Sequence, residues 1–241
     1  MRAAFLCSVF VSLFWHGSAT SEPYLCDGEL AQARRTVQEI KEKWPLYGRD
    51  EVSEYIRLLG LGLSAGSRQS INWTFSIIRD RTAHAFAIGG GYVYLTDGAI
   101  HIARQESELA AILAHEMGHQ LAGHLCRRNP GVWGRVLGWG ASESPGTRTR
   151  FHFGPFIQEY DPAKEQEADR MATRLLDSAG FDPAAMLRVI ERIDAQRGEG
   201  RGSGHRERRA ALMRQLASMT PRHYKESERF AAIKRMVAAQ W

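Results

Sequence analysis

The sequence has no long apolar run, little cysteine and no strong excess of either charge. Its N-terminal apolar stretch, Ala3 to Trp15, is shorter than the ~20 residues that cross a bilayer as a helix, and no later stretch is long enough. It contains no internal repeat and no low-complexity tract. We therefore expect neither a membrane-embedded protein nor a repeat protein, and the 241 residues predict one soluble domain.

The charge balance does not indicate a nucleic-acid-binding protein. The chain has 32 basic and 27 acidic residues, a formal net charge of +5. The basic cluster near the C-terminal end comprises Arg197, Arg201, Arg206, Arg208 and Arg209. Because Glu199 and Glu207 interrupt this cluster and no aromatic residue lies among its members, a solvated face is favoured over a surface for nucleic acid or anionic membrane.

The first 19 residues are typical of a secretory signal peptide. Arg2 precedes the apolar stretch, and Gly17 and Ala19 occupy the −3 and −1 positions of a cleavage site. We therefore expect residues 1–19 to be removed and the protein to be periplasmic. The alternative, a membrane anchor, would need a longer apolar segment.

Two cysteines remain after the predicted cleavage, Cys26 and Cys126. In an exported protein such a pair indicates a disulfide. It would close a loop of about 100 residues and stabilise the fold by up to roughly 4.7 kcal/mol in the chain-entropy model. Lipidation of Cys26 is the alternative, but the preceding Pro23, Tyr24 and Leu25 are not the small residues expected there.

Residues 20–241 are predicted to form one domain of the α+β class, mostly helical with a small antiparallel sheet. The expected parts are N-terminal helices over 27–70, a catalytic core over 71–180 and C-terminal helices over 181–241. Three segments rich in β-branched and aromatic residues predict the strands: "WTFSIIR", "AHAFAI" and "YVYLT", with "RDRT" and "GGG" as turns. Helical spacing recurs over 27–43, 50–63, 162–179, 183–196, 205–217 and 227–239. Ser107 is a candidate cap for the long helix beside the sheet.

A long segment without periodicity covers residues 129–156. It contains glycines, prolines and aromatic residues, and loops of this length in compact domains are usually functional or mobile. Trp133 to Phe156 is therefore a candidate lid over the cleft, with a packing or disordered loop as the alternative.

The segment "HEMGH" predicts a metal site on the long helix. Residues four apart on a helix are about 40° apart around its axis, so His115 and His119 share one face and can bind one metal ion. Glu116 lies about 100° from His115, which suits a carboxylate that reaches water beside the metal without binding the metal. His124 lies about 180° from His115, which favours packing or helix capping. The alternative for the pair is a tightly packed core.

A zinc ion at this site needs a third protein ligand and a fourth position left for water. The segment "EQEADR" places Glu165 and Asp169 four apart on one face of a helix. Glu165 could complete the ligand set, and Asp169 could accept the outer N–H of a ligating histidine. Glu167 and Glu159 are rivals, but Glu167 projects from the opposite face and Glu159 precedes Pro162. An exposed acidic face is the alternative for the Glu165 and Asp169 pair.

With these residues placed, the chain resembles the HtpX/BepA-like family of zinc metallopeptidases. The resemblance runs from about Asn72 to Ala179 and rests on "AFAIGGGYVYLTDGAI", "HEMGHQLAGH" and "EQEAD". It implies a zincin-like fold, one Zn²⁺ bound by His115, His119 and Glu165, and Glu116 as general base.

The chain departs from the family pattern at two places. Many relatives have a His-Pro segment followed by an arginine. Here "SGHRERR" lacks the proline and offers His205 as a catalytic residue, with Arg208 or Arg209 after it. His84 stands where the family often has asparagine.

An extended substrate is expected to pair with the strand after the glycine turn, at Gly91, Tyr92, Val93 and Tyr94, because strand addition at an exposed edge is independent of side-chain identity. A buried strand is the alternative.

The expected function is an endopeptidase for unfolded or misfolded proteins of the cell envelope. Peripheral contact with the membrane or with the outer-membrane assembly machinery is also expected. The alternatives are a chaperone-like assembly factor with a structural or latent zinc site and a zinc hydrolase for other substrates.

Overall fold

A computed structural model describes residues 25–67, 69–126, 161–197, 203–220, 222, 224 and 227–240. Its elements are α1 (Glu29–Lys43), α2 (Glu51–Ser64), β1 (Thr74–Ile78), β2 (Ala85–Ala87), β3 (Tyr92–Thr96), α3 (Asp97–Ile102), α4 (Glu106–Leu121), α5 (Pro162–Ala179), α6 (Ala185–Arg197), α7 (Ser203–Ala217) and α8 (Glu228–Ala238). The α+β class, mostly helical with a small sheet, is confirmed. The predicted signal peptide and the predicted lid, Trp133 to Phe156, lie outside the described residues.

The sheet is mixed, which corrects the expectation of an antiparallel sheet. The strand order is β1-β3-β2, with β3 parallel to β1 and antiparallel to β2. After β1 the chain crosses the end of β3 before it turns back. Asp80 N donates to Asp97 Oδ1 at 3.0 Å, and Gly98 N donates to Asp80 O at 3.0 Å. At Gly98 a Cβ would collide with the backbone of Arg81, so a glycine is needed at this crossing.

The prediction that substrate pairs with β3 is wrong, because β3 lies between two other strands. Tyr92, Val93 and Tyr94 are in register with β1 on one side, and Val93 and Tyr94 are in register with β2 on the other. Gly91 precedes the strand, and its φ of 81° and the carbonyl oxygen of Asn72, 2.6 Å from where a Cβ would lie, leave no room for a side chain. The strand therefore has no edge for an added chain, and the outer strand beside α4 is β2.

Helix α4 forms the centre of the core. Leu109, Leu113 and Met117 are fully buried. Helix α5 packs closely against it at Gly118, where a Cβ would lie 2.6 Å from the carbonyl oxygen of Ala168. Because glycine allows this close approach, the residues of α5 that flank Ala168 come next to the histidines of α4.

The ends of α5 are encoded locally. Asp161 accepts hydrogen bonds from Ala163 N at 3.0 Å and Lys164 N at 3.4 Å, and Pro162 occupies the first turn. Gly180, with φ of 81°, ends the helix in the left-handed region. These local signals set where α5 begins and ends.

The predicted cap of α4 is wrong. Gln105 is the N-cap residue and makes no side-chain capping bond. Ser107 is fully buried in the first turn, and its Oγ accepts from Asp182 N at 3.2 Å. The hydroxyl therefore ties the start of α4 to the loop before α6 instead of capping its own helix.

A disulfide joins Cys26, before α1, to Cys126, after α4, with Cα atoms 5.5 Å apart. The buried carboxylate of Glu29 lies beside it and accepts from Gly90 N at 2.7 Å and from Gln120 Nε2 at 2.8 Å. Helix α1 is thereby attached to both the end of α4 and the turn before β3. None of the helices in the described ranges has the length and apolar composition needed to cross a membrane.

Candidate metal centre

Three side chains from α4 and α5 converge at the candidate metal centre. His115 Nε2 and His119 Nε2 lie 3.2 Å apart. Glu165 Oε2 lies 3.4 Å from His115 Nε2, and Glu165 Oε1 lies 3.5 Å from His119 Nε2. We call these three residues the triad.

The spacing of the triad fits a zinc ion. Zinc–ligand bonds of 2.0–2.1 Å at tetrahedral angles place ligand atoms about 3.3 to 3.4 Å apart, close to the three observed separations. In the part of the chain that the structure describes, one other group brings metal-ligating atoms together, formed by Cys26, Glu29 and Cys126. Its sulfurs are joined in the disulfide and are not available as thiolates.

Glu116 lies beside the triad and outside it. Its Oε2 accepts a hydrogen bond from the backbone N–H of Ala87, in strand β2, at 3.2 Å. Burial raises the pKa of Glu116 to about 7. A carboxyl group with a pKa near neutrality can both accept and return a proton, as a general base requires.

Asp169 faces the outer nitrogen of His115. His115 Nδ1 lies 3.0 Å from Asp169 Oδ1, and the Asp169 side chain is almost completely buried. Burial raises the pKa of Asp169, but Arg208 and His115 outweigh burial and hold the pKa below its usual value. An ionised Asp169 at this distance favours the tautomer of His115 that carries its proton on Nδ1 and leaves Nε2 directed at the triad.

Arg208 of α7 links the two carboxylates of α5. Its Nε and Nη2 donate to Asp169 Oδ2 and Oδ1 at 2.6 and 2.8 Å, and its Nη1 lies 2.9 Å from Glu165 Oε2. Arg209 lies elsewhere, with Nη1 3.8 Å from Asp194 Oδ2. The sequence offered either arginine, and the structure brings Arg208 to the site.

The charges of the cluster favour a cation. Burial lowers the pKa of His115, but hydrogen bonds to Asp169 and Glu165 outweigh it and raise the pKa to about 10. Burial, together with His115, lowers the pKa of His119 to about 3. Burial raises the pKa of Glu165, but His115 and Arg208 hold it well below its usual range. One positive charge is thus stabilised on the His115 ring, between the carboxylates of Asp169 and Glu165.

Comparison with known proteins identifies the family of the chain. The model of peptidase family M48 matches residues 51–237. The chain belongs to peptidase family M48. The resemblance to the HtpX/BepA-like metallopeptidases is thereby confirmed.

Three relatives show how much of an M48 protein the chain represents. It is 32% identical over 177 residues to the beta-barrel assembly-enhancing protease of Escherichia coli O157:H7, covering 65% of this chain and 36% of that protein. It is 29% identical over 198 residues to the protein of the same name from Yersinia pestis, covering 75% and 40%. It is 32% identical over 149 residues to the mitochondrial metalloendopeptidase OMA1 of Schizosaccharomyces pombe, covering 59% and 44%. The chain spans less than half the length of each.

Two other histidines of this M48 chain, His205 and His84, are not part of the triad. The backbone of His205 lies in α7, but its side chain is outside the described part of the chain, as is Glu159. His84 is buried, and its backbone N–H donates to Thr96 Oγ1 at 2.9 Å.

His124 is the site residue that helical spacing misplaced. Its Nδ1 lies 3.0 Å from His119 Nδ1, and its Nε2 lies 3.3 Å from Glu167 Oε2. The expectation that His124 packs or caps the helix end assumed that α4 continues to His124, whereas α4 ends at Leu121. As expected, Glu167 does not join the triad and lies on the far side of His124.

Proposed function

We propose that the protein is a zinc-dependent endopeptidase that cleaves unfolded or misfolded polypeptides in the cell envelope. The observation that carries the proposal is the set of three ligand atoms 3.2, 3.4 and 3.5 Å apart with a carboxylate outside the set. Membership of peptidase family M48 supports the reaction class. We assign one Zn²⁺ to His115, His119 and Glu165.

Zinc at this position would polarise a peptide carbonyl and lower the pKa of water beside it. Glu116 then transfers the proton from the attacking water to the leaving group. Its Oε2 is held by Ala87 N, which leaves Oε1 to take the proton of the attacking water. With a pKa near neutrality, the same carboxyl group can deliver that proton to the leaving amine.

Strand β2 offers a place for an extended substrate. Phe86 is paired with Tyr94 in β3, with Ala85 and Ala87 on either side of it. In an antiparallel ladder the main-chain groups of alternate residues point away from the neighbouring strand, here those of Ala85 and the carbonyl group of Ala87, whose N–H donates to Glu116. An added chain would bind through its backbone beside Glu116, which favours unfolded segments of varied sequence.

Several features support action in the cell envelope. The N-terminal residues predict export to the periplasm, and a disulfide suits an oxidising compartment. Relatives named beta-barrel assembly-enhancing proteases indicate contact with an outer-membrane assembly machinery as a partner to test.

Metal content and proteolysis of the purified chain test the proposal together. We expect about one zinc per chain and cleavage of casein, an unfolded protein, with cleavage lost after chelation. Glu116→Gln should keep its zinc and lose cleavage. Cleavage that survives this substitution would rule out Glu116 as the base. Zinc binding and casein binding without cleavage by the wild-type chain would favour the chaperone-like assembly factor.

A further inference from the structure

A chain of polar contacts leads outward from the triad through His124. The Nε2 of His119 faces the triad, and its Nδ1 lies 3.0 Å from His124 Nδ1. On the other side of the ring, His124 Nε2 lies 3.3 Å from Glu167 Oε2. The His124 side chain is only 8% exposed, whereas that of Glu167 is 42% exposed, so the contacts run from the buried site to the surface.

The end of α4 places His124 in this position. The left-handed φ of 71° at Gly123 turns the chain back, and the backbone N–H of His124 donates to the carbonyl oxygen of His119 at 3.0 Å. Glycine adopts this conformation without strain. The imidazole of His124 therefore returns to the His119 face, which a continuous helix would not allow.

A single proton arrangement satisfies both contacts when His119 binds a metal. Its Nε2 must then offer a lone pair, so the neutral ring carries its proton on Nδ1. That proton can be donated to His124 Nδ1, which requires the His124 proton to be on Nε2. The Nε2–H of His124 then donates to the carboxylate of Glu167. Each donor meets an acceptor, and the tautomers of both rings are fixed.

The two histidines of the triad thus differ in what holds them. His115 meets the carboxylate of Asp169 directly, and Arg208 holds that carboxylate from the other side. His119 meets a second imidazole, and the carboxylate of Glu167 is one residue further out.

We propose that His124 is a positioning residue that orients His119 for zinc, with Glu167 fixing the orientation of His124. This inference rests on the zinc site of the proposed function. His124 need not touch substrate or metal. Its contribution is to hold the His119 ring in the orientation and tautomer that direct Nε2 at the triad.

Zinc affinity is the direct test and does not depend on activity. We would measure it by competition with a chromogenic chelator in the Glu116→Gln background, where we expect no proteolysis. His124→Ala should weaken zinc binding about 10- to 100-fold, as for other outer partners of ligating histidines. His124→Asn should recover most of the affinity, because its amide oxygen can accept from His119 Nδ1. Glu167→Gln should give a smaller loss.

Co²⁺ substitution provides a spectroscopic readout that a packing role would not change. His124→Ala should alter the visible d–d bands, and His124→Asn should restore them. His101→Ala, at an exposed histidine of α3, is the matched control and should change neither affinity nor spectrum. Since His124→Asn and Glu167→Gln keep polar side chains, the test does not depend on the alanine variant folding.

The outcomes separate this inference from the proposed function. Wild-type affinity in a folded His124→Ala variant, or an asparagine variant no better than it, overturns the positioning role alone. If the alanine variant does not fold, wild-type affinity in Glu167→Gln overturns that role. Failure of the wild-type chain to bind zinc overturns both. Stoichiometric zinc without peptide cleavage overturns the proposed function, while the His124 series still decides the positioning role.

Discussion

The two halves of α4 both bury charged or ionisable groups, and they do so differently. Near the N-terminal end, Glu108 is 2% exposed and meets Arg192 Nη2 at 2.8 Å and the backbone N–H of Arg104 at 2.7 Å. Near the C-terminal end, two imidazole nitrogens and a carboxylate converge with spacings that suit a metal ion. At the first place each carboxylate oxygen faces a donor, whereas at the second three metal-ligating atoms from two helices also face one another.

This difference separates a structural ion pair from a binding site. A buried carboxylate with its own guanidinium contributes to the fold, and losing one partner leaves an unpaired charge. Converging lone pairs repel one another unless a proton or a cation lies between them. Substitutions in the first region should therefore change stability alone, and substitutions in the second should change zinc binding and catalysis.

The largest expected effect is at the base. Glu116→Gln removes the proton acceptor and should lower kcat for casein cleavage by about 10²- to 10⁴-fold. Zinc content should remain at the wild-type level, because Glu116 is outside the triad. Equal loss of zinc and activity would contradict this separation of roles.

Breaking the structural ion pair of Glu108 and Arg192 should have the next largest effect. Arg192→Ala leaves Glu108 buried with weaker partners and should lower the free energy of unfolding by about 3 kcal/mol, measured in urea. Zinc affinity should stay within about twofold of wild type, as the pair does not touch the triad. Arg174→Ala, an exposed arginine of α5, is the control and should leave stability unchanged. A large drop in zinc affinity with Arg192→Ala would show that the two halves are coupled.

Arg208 tests whether shape as well as charge matters at the site. Lysine keeps the positive charge but cannot bridge two carboxylates with a planar fork. We expect Arg208→Lys to weaken zinc binding by about tenfold, on the scale of other outer-partner changes, measured by chelator competition. An unchanged affinity would mean that charge near Glu165 and Asp169 is sufficient.

The smallest expected effect is the pH dependence of the structural pair. Burial raises the pKa of Glu108, but Arg192 and the backbone N–H of Arg104 outweigh burial and lower the pKa in the folded chain. Its stabilisation is thus present above the unfolded pKa and is lost as the pH falls through the folded value. Glu108→Gln should lose less stability than wild type between about pH 5 and pH 3 in urea unfolding. Equal losses would show that Glu108 does not contribute to acid unfolding.

The residues that sequence spacing could predict are those held by a single helix. His115 and His119 follow from four-residue spacing on α4, and Glu165 and Asp169 from the same spacing on α5. The two-helix arrangement depended on a further assumption, that these faces meet. Gly118 makes this possible by letting the backbone of Ala168 approach.

Other parts of the site could not be predicted because they depend on where a helix ends or how distant segments pack. His124 was placed by a helical wheel that continued past Leu121, whereas Gly123 reverses the chain. Arg208 and Arg209 are adjacent in sequence, and only the packing of α7 against α5 brings Arg208 to the carboxylates.

The sequence by itself determined which metal-ligating side-chain types share a face on each of two helices, and that a carboxylate lies beside the histidine pair, because helical geometry is local and repeats every turn. Only the tertiary structure decided that β3 lies inside the sheet, that Arg208 reaches both carboxylates, and that His124 faces His119. These outcomes depend on contacts between segments far apart in the chain, and their free energies come from packing that no local pattern encodes.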